Sequence, residues 1–324
     1  MSSIYLQSFV RELLNYNARG DFDSIAKEIL PIVNSKFTVH MDKADKKSET
    51  TGSKAEYLEK STQTITRAFS ACLNDRQNQA TSFIWGVYGV ANELFCVYLK
   101  LKKLNLYKSI IRSLQAAGLP QVEEFPISQQ ITFHYYLGRY EFFNEDFAKS
   151  KVHLNSAFKM CPAHYAPQRR RILTYLLPVM LQTGRLPKPK LLDQFPQLSA
   201  IYRPIVSAVH QGYLVGVEKA IEANERYLLD KGVYLILEKT KDLACRELIR
   251  NTYKIVGGES RLDMTHTHRA FNISSEKELD YNQVECQVAV LIYKKLIMGY
   301  ISHERRVIVL SKVDPFPSLG GMQT

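Results

Sequence analysis

The chain has 324 residues, 45% hydrophobic and 23% charged, with 43 Lys and Arg against 32 Asp and Glu for a formal net charge of +11. That length suits two or three domains or one extended array, and the apolar content supplies a core and excludes wholesale disorder. The longest clean apolar stretches, 175–181 and 288–293, fall far short of the roughly 20 residues of a membrane helix, and Arg11 and Glu12 interrupt the apolar opening in a way that a signal peptide does not.

Phe9, Val10, Leu13 and Leu14 follow helical spacing, with Ser2 or Ser3 as N-cap. Arg19-Gly20-Asp21 breaks the pattern, and Phe22, Ile25 and Ile29 begin a second helix that stops near Pro31. The spacing therefore predicts a helix pair over 1–35. Residues 36–55 are a polar linker, with MDKADKKSETTGSK (41–54) almost free of large apolar groups.

Helical periodicity then dominates over 56–230. Tyr57, Leu58, Ile65, Phe69 and Leu73 mark one helix. Trp85, Val87, Tyr88, Ala91, Leu94, Phe95 and Tyr98 mark another, apolar almost all round and therefore buried. In 131–162, Leu137, Gly138, Leu154, Ala157 and Pro162 fall at the spacing of a tetratricopeptide helix pair. His134, Glu141 and Ser150 replace the usual Trp, Tyr and Ala, so helix-turn-helix stacking is expected without a strict tandem repeat. Further helices follow at 171–181, 198–209 and 217–229. The 19 Tyr and 15 Phe fill the seams of such an array, with Tyr135, Tyr136 and Tyr140 as candidates to face a groove instead.

The last stretch changes character. One or two helices over 233–255 stop at Gly257-Gly258. A short helix occupies 262–271. Asp280 caps a longer one over 281–296, with Val284, Val288, Leu291 and Ile292 as its buried stripe. GYISHERRVIVLSK (299–312) reads as a β-hairpin turning at His303-Glu304-Arg305. Three helices and a two-stranded wing are the order of a winged helix, expected over 231–315 with a tail at 316–324.

Positive charge is uneven: the surplus of basic residues is four over 1–164 and seven over 165–324. Lys294, Lys295, Arg305, Arg306 and Lys312 are expected to converge on one edge of the wing and to bind nucleic acid through its phosphates. Arg169, Arg170 and Arg171, with Lys188 and Lys190, form a second cluster, in which Arg169 and Arg170 are further candidates to bind nucleic acid; successive helical residues lie about 100° apart, so the three arginines cannot all face one partner. Lys100, Lys102, Lys103, Lys108 and Arg112 form a third, with no acid between them. The five Cys form no CxxC and sit mostly among apolar neighbours, as reduced thiols do. No GxxxxGK[ST] or GxGxxG is present, and no catalytic constellation stands out.

Several segments carry a resemblance: WGVYGVANELFCVYLKLKKLNL (85–106), ITFHYYLGRYEFFNEDFAKSKVHLNSAF (131–158), RRRILTYLLPVMLQTGRLP (169–187), GVYLILEK (232–239), and GYISH followed by DPFPSL (314–319). Across roughly four fifths of its length the chain resembles the PCI-domain family, in the branch of PCI-domain-containing protein 2, the yeast messenger-RNA export subunit and the signalosome subunit-twelve homologues. The resemblance implies a mainly α fold, a right-handed, tetratricopeptide-like helical array capped by a C-terminal winged helix. Its branch carries further helices where this chain has 36–55. It implies pairing with a second PCI-domain protein and a small acidic, disordered subunit. Its setting is transcription-coupled nuclear messenger-RNA export, with basic winged helices contacting RNA or DNA without sequence preference, in nucleus and cytoplasm. The alternatives are a protein-interaction subunit of a signalosome-like complex without nucleic acid, and an RNA-processing partner linked to splicing.

Related assemblies contain a metalloprotease, which draws attention to His266-Thr267-His268. Its pattern wants Ser and Asp where Glu276 and Leu279 stand here, and two His on opposite sides of a helix do not share a metal. The expectation is a non-catalytic scaffold with no cofactor, no metal and no membrane partner.

Overall fold

The computed structural model describes residues 62–63, 65–75, 82–101 and 103–318. The expected helix pair 1–35, the linker 36–55 and Lys102 lie outside the described residues. The chain divides into two compact units, Met1–Tyr140 and Glu141–Thr324.

In the first unit, residues 65–73 are helical, followed by α1 (Val87–Lys100), α2 (Leu104–Ala116) and α3 (Ile127–Phe143), which runs across the division. Val87, Ala91, Leu94, Phe95 and Val97 of α1 are completely buried, as an all-round apolar helix must be. Amphipathic α2 turns Tyr107, Ile110 and Leu114 inward. Tyr107 is buried whole because its hydroxyl finds an acceptor, donating to the Phe95 carbonyl at 2.9 Å. Its ring stacks on Phe95 at 4.4 Å and on Tyr140 at 5.2 Å. Tyr136 and Tyr140 pack, partly buried, against this core.

The second unit opens with stacked helices: α4 (Phe147–Met160), α5 (Ala166–Gln182), α6 (Pro189–Asp193), α7 (Pro196–Gln211), α8 (Leu214–Glu222), α9 (Glu225–Lys231), α10 (Tyr234–Glu238) and α11 (Thr240–Ile255). α4 packs on α5, and α7 packs on α8 and α11. The span 217–229, expected as one helix, is broken at Ala223-Asn224 into α8 and α9. Asp146 caps α4 by accepting the Lys149 amide at 3.0 Å. Pro178 inside α5 has no N–H to give the Thr174 carbonyl four residues back. The buried Tyr202 hydroxyl of α7 approaches that carbonyl at 3.4 Å, so the defect in one helix is met by its neighbour.

The terminal module contains α11, β1 (Arg261–Asp263), α12 (Met264–Ser274), α13 (Tyr281–Tyr293), β2 (Gly299–Ser302) and β3 (Val307–Leu310). Three helices and a small sheet form the winged helix, and the hairpin stands where its β-formers put it. The sheet has a third strand: β1 pairs antiparallel with β3, giving the order β1-β3-β2. The helix expected from 262 therefore starts two residues later, with Asp263 as its N-cap. Leu262, Ile308 and Ile301 lie in one cross-strand row and point into a core shared with Val284, Val288, Leu291 and Phe271. Gly299 is required by closeness: a Cβ there would lie 2.3 Å from the Val309 carbonyl oxygen.

Asp280 begins α13 with a capping box. Its carboxylate takes the Tyr281 amide at 2.7 Å, and Gln283 returns a carbonyl oxygen to the Asp280 amide at 2.9 Å. Asp280→Ala is expected to destabilise the second unit by about 1 kcal/mol, read as a lower urea midpoint at constant m-value.

Candidate nucleic-acid interface

The register of the hairpin decides where its cations lie. Gly299 pairs with Leu310 and Ser302 with Val307, three residue steps apart, or about 10 Å. Arg305 and Arg306 sit in the turn at the tip. Lys294 and Lys295 precede β2, and Lys312 follows β3, so these three belong to the base. The five therefore form two groups at opposite ends of the hairpin, not one row.

The tip is knitted to the starts of α12 and α13. Arg306 has φ 50°, its carbonyl accepts the Met264 amide at 2.9 Å, and its guanidinium lies 5.4 Å over the Tyr281 ring. The Tyr281 ring also stacks on His268 at 3.9 Å. His303 Nδ1 lies 2.9 Å from both carboxylate oxygens of Glu285. Asp263 and Asp280, which cap these helices, and Glu304 in the turn itself add negative charge around Arg305 and Arg306. The Thr265 amide holds the Asp263 carboxyl below its ordinary range, fixing that charge.

The base carries less compensation. Lys294 Nζ meets Asp242 of α11 at 2.5 Å. Lys295 and Lys312 are exposed and, with Arg305, make no ion pair among the described residues. The Ser311 amide donates to the Met298 carbonyl at 2.8 Å, which ties the segment before Lys312 to the one after Lys295.

Arg169 and Arg170 lie elsewhere, at the start of α5. Arg169 donates to the Cys161 carbonyl at 2.6 Å and lies 4.0 Å over Phe158, both of the preceding turn and helix. Arg170 reaches the Gln197 side chain of α7. Both tie helices together, through a carbonyl, a ring and an amide; Arg171 is exposed.

Sequence reasoning did not isolate the outward face of α13, the helix that reads bases in DNA-binding winged helices. Its exposed side chains include Asn282, Cys286, Gln287, Val290 and Tyr293, with no Lys or Arg, and Tyr293 is 88% exposed. Within the winged helix, exposed cations lie on the hairpin and not on the outward face of this helix. Among the described residues no group of His, Cys, Asp and Glu could hold a metal ion, and His268 is engaged with Tyr281 and, through Nε2, with the Leu279 carbonyl at 2.8 Å. Burial pushes the Cys245 thiol up to about 12 and Cys72 to about 11, which leaves both without thiolate at neutral pH. No helix among the described residues is long and apolar enough to cross a membrane.

Stacked helices running into a winged helix are the architecture of a scaffold-type protein. The PCI domain matches residues 221–312, from the end of α8 through β3. The chain is 36% identical to the CSN12 homolog of Gibberella zeae over 274 residues, 79% of this chain and 60% of that one. It is 33% identical to PCI domain-containing protein 2 of Xenopus laevis over 83% of this chain and 66% of that one. It is 33% identical to Enhanced ethylene response protein 5 of Arabidopsis thaliana over 98% of this chain and 75% of that one. The chain belongs to the PCI-domain family. It spans about three fifths of the length of the CSN12 homologs it matches.

Proposed function

We propose that the chain is a non-catalytic scaffold subunit that pairs with a second PCI-domain protein and a small acidic subunit and contacts nucleic acid through the base of its hairpin. The observation that carries this reading is the group of Lys294, Lys295 and Lys312, two of them exposed without a counter-charge. Such cations neutralise phosphates and release counterions, which gives affinity without sequence choice. β2 is an outer strand of its sheet, and an unpaired strand edge accepts another strand from a partner. The setting this reading implies is transcription-coupled messenger-RNA export, in nucleus and cytoplasm.

The test is fluorescence anisotropy with labelled oligonucleotides across a salt series, using the chain together with its PCI partner. Lys294→Gln, Lys295→Gln and Lys312→Gln combined are expected to weaken binding and to lower the slope of log affinity against log salt by about 2 for a single strand, at ~0.7 per phosphate. An unchanged slope removes the hairpin from the interface. A second reading, a protein-interaction subunit of a signalosome-like assembly, is supported by the uncharged outward face of α13 with Val290 and Tyr293 exposed. Absence of binding by the wild-type complex at low salt would favour it.

A further inference from the structure

The first unit carries a basic face that the wing does not explain. Helix α2 buries Tyr107, Ile110 and Leu114. At 100° per residue, Asn105, Lys108 and Arg112 fall on the opposite side, within a sector of about 60°. All three are exposed. Lys108 and Arg112 are four apart and so neighbours on the helix surface, where two like charges repel.

Among the described residues of this unit, no acidic side chain pairs with them. The acidic side chains among the described residues 62–140 are Asp75, Glu93, Glu123 and Glu124, and none forms an ion pair with Lys108 or Arg112. Asp75 accepts from the Phe83 amide at 2.7 Å and from Ser82. Glu93 is half-buried, and its raised pKa comes from partial burial, with Lys100 opposing. Glu123 acts on Tyr88, adding to the burial that raises that phenol. Glu124 accepts the Gln121 amide at 3.2 Å. Lys108 and Arg112 make no ion pair among the described residues.

We propose that the outer face of α2 is a second contact for a nucleic-acid strand, with Lys108 and Arg112 each taking a phosphate of its backbone. The spacing suits this. Side chains four apart on a helix lie about 5–6 Å from one another at Cβ, comparable to the separation of successive phosphates along a strand. Arg112 offers a planar fork for phosphate oxygens and Lys108 a point charge. Asn105 adds a neutral hydrogen-bonding group on the same line. No aromatic side chain is exposed on this face, so bases are not read; the ligand is the phosphodiester backbone itself. This extends the nucleic-acid reading above to a surface independent of the hairpin.

The experiment uses the full chain and two labelled probes, a 20-nucleotide poly-uridine and a 20-nucleotide poly-thymidine, across a salt series. The variants are Lys108→Gln with Arg112→Gln, the charge-keeping pair Lys108→Arg with Arg112→Lys, and Lys295→Gln with Lys312→Gln in the hairpin. The α2 neutral pair is expected to lower the salt slope by about 1.4 for a single strand, with two phosphates lost, while the charge-keeping pair retains the wild-type slope. The two probes show whether the sugar matters; a loss on either supports the α2 contact. A wild-type slope in the α2 neutral pair, alongside a reduced slope in the hairpin pair, overturns this proposal alone. No binding by the wild-type chain overturns both readings. Retained strand binding with lost binding of a polyglutamate competitor assigns the face to an acidic protein and overturns the proposal.

Discussion

Replacing Arg246 by alanine is expected to be among the most damaging single changes in the second unit, by about 3–5 kcal/mol. Arg246 lies on α11 and is 5% exposed. Its Nε donates to the Leu296 carbonyl at 2.9 Å, just past α13, and its Nη2 donates to the Pro317 carbonyl at 2.8 Å. Nη1 pairs with Glu247. The guanidinium also lies 5.8 Å from the Phe316 ring, which meets Tyr253 of α11 at 5.6 Å. One fork thus clamps the helix end that precedes the hairpin to the segment that follows it. The Met298 amide adds a second tie, donating to the Pro315 carbonyl at 2.9 Å.

Removal of the side chain leaves two carbonyls without their donor and opens the space beneath Phe316. Burial lowers the Arg246 pKa, with Glu247 acting against it, but guanidinium stays charged at any ordinary pH. Stability lost in the variant should therefore be the same at pH 6 and pH 8. Arg246→Lys keeps the charge but offers a point donor where three directions are needed, so it recovers only part of the loss. The checks are urea unfolding and the exchange rate of the Met298 amide. A loss below 1 kcal/mol with Met298 still protected would show that the C-terminal segment holds without the clamp.

Arg246 also shows what sequence conceals. Read along the chain it is one cation in TKDLACRELIR, no different from Arg250 four residues on, which is seven times more exposed at its side chain (41% against 6%). Contacts with the Leu296 carbonyl, 50 residues on, and the Pro317 carbonyl, 71 residues on, make the difference. What local chemistry dictates was legible: the Asp280 cap, the Gly257-Gly258 stop, the buried stripe of α13 and the hairpin around His303–Arg305. β1 was not, because three residues carry too little alternation to stand out from the helix that follows them. The grouping of the hairpin cations was not legible either. Nearness in sequence put five side chains in one cluster, whereas pairing register sends two of them to the far end, among Glu285, Glu304, Asp263 and Asp280. The α2 face followed from helical spacing once its buried side was known.

Gly212→Ala is the second change expected to be severe, at about 3 kcal/mol or more, from two independent causes. The residue ends α7 in the left-handed region at φ 73°, where an L side chain costs about 1–2 kcal/mol. The helix closes there with paired bonds: the Gly212 amide donates to the Val209 carbonyl at 3.1 Å and the Tyr213 amide to Ala208 at 2.8 Å. A Cβ would also lie 2.6 Å from the backbone N and Cα of Leu248 on α11. Backbone in a packed helix cannot yield as a flexible side chain can, so α7 and α11 would have to separate. The effect reaches the winged helix, because the Gly212 carbonyl accepts the buried Ser274 hydroxyl of α12 at 2.7 Å, and that hydroxyl in turn accepts the Leu214 amide at 2.8 Å. Ser274→Ala removes this relay without moving backbone and measures its share apart from those two causes: it should cost about 1–2 kcal/mol, well below Gly212→Ala. Equal losses in the two variants would mean that the left-handed backbone and the close approach of α7 to α11 together cost no more than loss of the relay, which would overturn the expected ranking.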